Sequence, residues 1–165
     1  MEADSYAYTK FQGGGTLKLF DYDCPVNVQG YDPTLGVKQY RIISGDMAYT
    51  HRFTLIRYHL VIHQAVHMPE LRHYLLCPIQ CLTNRVTINE CPRIYYNNPD
   101  HESHAIVTED EYGENFILPF FLNGVTSHLN VDNLSHNDFK SQDCLRLNLT
   151  HRDMTWDPST AIYEY

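Results

Sequence analysis

Three histidines, His59, His63 and His67, recur at every fourth position. On a helix that spacing would stack them on one face and suit a zinc ion. The run from Tyr58 to Val66, however, is β-branched and aromatic and reads as a strand. At about 3.3 Å per residue the outer two would stand roughly 26 Å apart, too far to share a metal. A polar or interface-facing strand is therefore the better reading. Cys77, Cys81 and Cys91 have loose zinc-like spacing, but no second pair completes a ligand set, so packing thiols are expected. Glu109, Asp110, Glu111 and Glu114 lack the Asp-x-Asp-x-Asp-Gly order of a calcium loop and read as a solvated turn. No Ser-x-x-Lys, Gly-x-Ser-x-Gly or phosphate-cradling glycine loop is present, and neither metal nor cofactor is expected. One carboxylate with a hydroxyl beside it remains, Asp4-Ser5, in the stretch Asp4-Ser5-Tyr6-Ala7-Tyr8-Thr9.

The elements that must position these groups are short strands. Leu17 and Leu19 alternate with polar residues, as do Val26 and Val28, with a turn expected over 21–25 between them. Tyr40 to Ile43 is another strand. Met47 to Tyr49 and Phe53 to Ile56 read as hairpin arms with Thr50 to Arg52 at the tip. Tyr58 to Val66 is the strongest strand, stopped by Pro69, and a short helix within 70–82 is limited by Pro78. Val86 and Ile88 mark a further strand. Ala105 to Thr108 and Phe116 to Leu122 flank the acidic turn as a hairpin, whose second arm carries Pro119 and is expected at an edge. Further strands are expected over 128–131 and 145–149, with a short helix capped by Ser135 between them. About ten strands and two short helices predict a mostly-β chain. The polar stretch 97–103 suggests a division into a first unit, 1–97, and a β-rich C-terminal extension, 98–165. The apolar face of Phe116, Leu118, Phe120 and Leu122 must be covered either by the rest of the chain or by a partner.

Twenty acidic residues against twelve basic ones give a net charge of −8, which argues against nucleic acid as a partner. No apolar run is long enough to span a membrane, and no basic–apolar–small leader opens the chain. A cytoplasmic location with reduced cysteines is expected. The sequons at Asn133 and Asn148 matter only for a secreted chain.

Several stretches, taken in order, resemble the aspartic-protease (retropepsin-like) region of copia-type retrotransposon polyproteins. After Asp4 to Thr9 come Val28-Gln29-Gly30-Tyr31-Asp32-Pro33 and His59-Leu60-Val61-Ile62-His63-Gln64-Ala65. Leu75-Leu76-Cys77-Pro78-Ile79-Gln80-Cys81 and Val86-Thr87-Ile88-Asn89 follow. The series ends with Leu118-Pro119-Phe120-Phe121-Leu122-Asn123-Gly124-Val125-Thr126-Ser127 and Trp156-Asp157-Pro158-Ser159-Thr160. The resemblance implies a closed β-barrel that pairs with a second copy. Each copy would give one aspartate, here Asp4, to a shared dyad in which one carboxyl is ionised and the other protonated. Ser5 would support the dyad, and Thr50, His51 and Arg52 would belong to a flap over the substrate.

The chain departs from that pattern at the dyad. The family has Asp, Ser or Thr, Gly or His, Ala, Asp; here Tyr6 stands for the third residue and Tyr8 for the fifth. A phenol at Tyr6 would intrude on the attacking water, and a tight loop favours Gly because a Cβ obstructs close approach. Only three residues precede Asp4, so the strand leading into the loop is expected to be nearly absent. The reading that follows is a non-catalytic β domain acting in self-association or as a structural subunit, with Tyr6, Tyr8 and the Phe116–Leu122 face as candidate contacts. A dimeric aspartic endopeptidase that processes a retroelement polyprotein is the first alternative. A module that binds peptide segments by strand addition is the second.

Overall fold

The structure is a computed structural model. It describes residues 1–3, 11–12, 15–29, 34, 36–110, 112–134, 136–139, 145–153 and 156. Strands dominate, as the composition requires. They are β1 (Glu2–Ala3), β2 (Phe11–Gln12), β3 (Leu17–Gln29), β4 (Val37–Thr50), β5 (Arg57–His67) and β6 (Leu75–Leu76). After helix α1 (Pro78–Leu82) come β7 (Thr87–Ile88), a 3-10 turn (Arg93–Tyr95), β8 (Ala105–Glu109), β9 (Asn115–Pro119), β10 (Phe121–Asn123) and β11 (Thr126–His128). Helix α2 (His136–Phe139) and β12 (Leu145–Asn148) complete the described elements.

The larger sheet runs β10-β11-β1-β6-β2-β5-β4-β3, and β12 pairs with β5 beside β2; β7-β8-β9 form a second sheet. Among the described residues the two ends of the larger sheet, β10 and β3, do not pair with each other. The expected mostly-β class is present, but among the described residues no closed barrel forms.

β5 is the organising strand. Its long antiparallel ladder with β4 runs from Arg41↔His67 to Thr50↔Arg57. On its other edge β12 runs parallel beside 58–61 and β2 beside 66–67. Between these partners Gln64 takes a φ of 54°, a bulge that shifts the side-chain alternation by one residue. Tyr58, Leu60 and Ile62 face the main core before the bulge, and Ala65 faces it afterwards. The segment after β12 fills the gap in the ladder. Thr150 Oγ1 accepts from the His63 backbone N–H and donates to the His63 carbonyl. Gln64 donates to the Arg152 carbonyl and accepts from the Trp156 N–H.

Pro78 opens α1 rather than ending it, because a first-turn proline gives up no helical hydrogen bond. The expected turn over 21–25 is instead a bulge inside β3, with Asp23 at a φ of 53°. The polar stretch 97–103 is free of strand or helix. The core crosses it: Met47, Leu60 and Leu76 share one buried cluster with Ile106, Leu118, Phe120 and Leu147. A smaller cluster of Leu17, Ala48 and Leu134 includes Leu19 and Phe139 at its margin.

Candidate functional site

Asp4, Ser5, Tyr6 and Tyr8 lie outside the described residues. The strands on either side of them are described, and both pair with the same partner. β1 runs parallel to β6 (Glu2↔Leu75, Ala3↔Leu76), and β2 runs antiparallel to it (Phe11↔Leu75). β1 and β2 therefore lie on the two sides of β6.

Thr50 ends β4, and the six residues 51–56 form the turn into β5. The expected arm Phe53–Ile56 belongs to this turn. His51 is its hub. The His51 N–H donates to the Ile56 carbonyl, and the Leu55 N–H donates to the His51 carbonyl. His51 Nδ1 accepts from the Thr54 N–H at 3.2 Å, which in the neutral ring puts the proton on Nε2. The ring packs against Phe53 and Phe116. The Arg52 guanidinium lies over the rings of both Phe53 and Phe121, at 4.6 and 4.8 Å. Burial pushes the phenol of neighbouring Tyr49 up to about 12.

This turn roofs a cavity of about 290 Å³ that His51 and Arg52 line together with Arg93, His101 and His104. His104 is fixed from beneath. Ser127 Oγ donates to the Glu90 carbonyl, so its remaining bond must accept from His104 Nε2–H at 2.8 Å. Burial, then Arg93 and His128, hold the His104 imidazolium below its ordinary range, and burial does the same for His67. Both rings stay neutral in the fold below the pH at which they protonate in the unfolded chain. The stability they lend is full above 6.5 and drains away as pH falls from there toward their folded values. Thermal melts should show Tm falling below that point, with a shallower acid limb in His104→Gln. An unchanged acid limb in the variant would contradict this assignment.

Of the proposed contact face, Leu118 and Phe120 are 0% and 4% exposed and belong to the main core. Phe116 packs on Tyr58, with ring centroids 4.4 Å apart. The chain covers Leu118 and Phe120 itself, which removes those two as partner contacts. Phe116, half-buried, and Leu122, 45% exposed, stay accessible.

The strand histidines lie on β5 and do not converge on one ion. Among the described residues no group of three or more His, Cys, Asp or Glu side chains is placed to hold a metal. His59 is buried against Asp46, with Nδ1 to Oδ2 at 2.8 Å. Burial raises the Asp46 carboxyl above its usual range; the His59 hydrogen bond and the charge of Arg146 work the other way. Asp46 Oδ1 has no hydrogen-bond partner among the described residues. His63 Nδ1 meets Ser44 Oγ at 2.8 Å, and Tyr22 Oη meets the same hydroxyl at 2.9 Å. This pairs a hydroxyl with an imidazole, but Ser44 is 1% exposed and no substrate can reach it.

Sequence reasoning missed Asp46, Ser44 and the Arg93–His104 cluster. The pairing of positions 46 and 59 depends on the β4–β5 register (Ala48↔His59), which puts Asp46 diagonally across from His59. No local signal carries that register.

No protein-family model, curated protein or solved structure matches the chain. Among the described residues no helix is long and apolar enough to cross a membrane.

Proposed function

We propose that this chain is a retropepsin-like β domain of the copia-type retrotransposon kind that does not hydrolyse peptides and works instead as a self-associating architectural element. The observation that carries the reading is the pair of phenols at Tyr6 and Tyr8, beside the one carboxylate in the stretch that resembles the dyad loop. A water-activating dyad needs two carboxyls in contact and room for the water between them. A bulky ring in each half-site removes that room.

The outer strand β3 supports association. It is 13 residues long and pairs only with β4, which leaves its other edge open among the described residues. Its first half is guarded. The Asp23 bulge twists it, Pro25 interrupts its donors, and Arg41 draws in Asp21 and Asp23 at 3.7 and 2.6 Å. Val26 to Gln29, beyond the proline, carry no charge and suit strand addition.

One observation favours the endopeptidase alternative. β1 and β2, the strands on either side of the Asp4 stretch in sequence, both pair with β6, and a catalytic carboxylate needs such regular elements beside it. The two readings separate on purified protein. The architectural reading expects a light-scattering mass above that of one chain, rising with concentration, and no Asp4-dependent cleavage of an unfolded polypeptide. A monomer at every concentration would end it, as would cleavage abolished by Asp4→Asn.

A further inference from the structure

The cavity under the 51–56 turn gathers cationic and imidazole groups in a chain whose net charge is −8. Arg52 comes from the turn and Arg93 from the 3-10 turn. His51, His101 and His104 complete the polar wall, and no carboxylate is among the described lining residues. Neither arginine makes an ion pair with a described residue. Two acids adjoin the lining residues along the chain, Asp100 and Glu102, and neither lines the cavity; Asp100 Oδ1 accepts from the Ser103 hydroxyl at 2.8 Å and from the Glu102 and Ser103 N–H groups. The Arg52 guanidinium lies over the rings of both Phe53 and Phe121, and these contacts reduce the freedom its fork loses on meeting a ligand. Ile117 and Phe120 supply an apolar floor.

We propose that this cavity is a carboxylate-binding site, taking one carboxylate on a short apolar stem such as an acidic side chain or a small aliphatic acid presents. Planar guanidinium forks match a carboxylate. A volume of about 290 Å³ accommodates a single side chain rather than a large ligand. The negative field of the whole chain disfavours polyanions, which leaves a monoanion as the fitting charge.

Calorimetry on the full chain with three probes tests the assignment. They are a short C-terminally amidated peptide with one central Glu, the same peptide with Gln in its place, and butyrate, a small aliphatic monoacid. The Glu peptide is expected to bind, and the Gln peptide to bind about tenfold more weakly or worse. Arg52→Gln and Arg93→Gln should each weaken the Glu peptide by a similar factor, while Arg41→Gln, outside the cavity, should not. Butyrate binding without Glu-peptide binding would support the site and assign it to small acids. Equal binding of the Glu and Gln peptides would overturn the proposal, and that comparison uses unmodified protein only. So would well-folded Arg52 and Arg93 variants that bind like the parent, or a failure of both the Glu peptide and butyrate to bind.

Discussion

Replacing His59 with alanine is expected to destabilise the fold by about 3–5 kcal/mol. The imidazole is 2% exposed and Asp46 is 0% exposed, so the pair has no access to water. Asp46 already leaves one oxygen without a described partner. Removing the ring takes away the bond to the other oxygen and leaves a buried carboxyl with only the Met47 N–H and the charge of Arg146 to support its ionised form. That arginine is stacked over Phe139 at 4.6 Å rather than bonded to Asp46. Chemical denaturation of His59→Ala would show the loss as a lower midpoint. The double variant Asp46→Val, His59→Leu should recover much of it, because the cost arises from the orphaned charge rather than from the absent bond. A His59→Ala midpoint within about 0.5 kcal/mol of the parent would mean the pair is not buried as described.

The second large effect concerns Leu118. Its side chain is fully buried where β9 meets the main cluster, and truncation to alanine is expected to cost about 2–5 kcal/mol through lost burial and the cavity left behind. The same variant should leave the light-scattering mass of folded protein unchanged, since Leu118 faces the chain's own core. If Leu118→Ala kept its denaturation midpoint but lost assembly, the β9 face would be an interface after all and the packing described here would be wrong.

The strands were legible in the sequence where alternation or β-branching was strong. The run 58–66 lies within β5, and the acidic turn lies between β8 and β9. There Asp110 Oδ1 accepts from the Tyr112 and Glu114 N–H groups, and Gly113 takes a φ of 82°. Pro119 falls at the end of β9, an outer strand, as its missing donor predicts. Two things were not legible. The bulge at Gln64 places a non-glycine residue at positive φ with no turn residue beside it, and the turn signal over 21–25 marked an irregularity at Asp23 without showing that the strand continues through it. The cross-chain partners of β5 are set by three-dimensional packing: β12 approaches from some ninety residues away, and its parallel register leaves no local trace. The candidate site divides in the same way. The turn at His51 and Arg52 could be read from the hairpin pattern, whereas the convergence of Arg93 and His104 beneath it arises only when the second sheet packs against the first.

The claim that this scaffold supports association rather than hydrolysis turns on Asp4. The most direct test is cleavage of an unfolded polypeptide by the wild-type chain and by Asp4→Asn, side by side, from acidic to neutral pH and at concentrations where light scattering shows assembly. The account predicts indistinguishable, background-level product from both. Cleavage with an acidic optimum in the wild type that disappears in Asp4→Asn would contradict it.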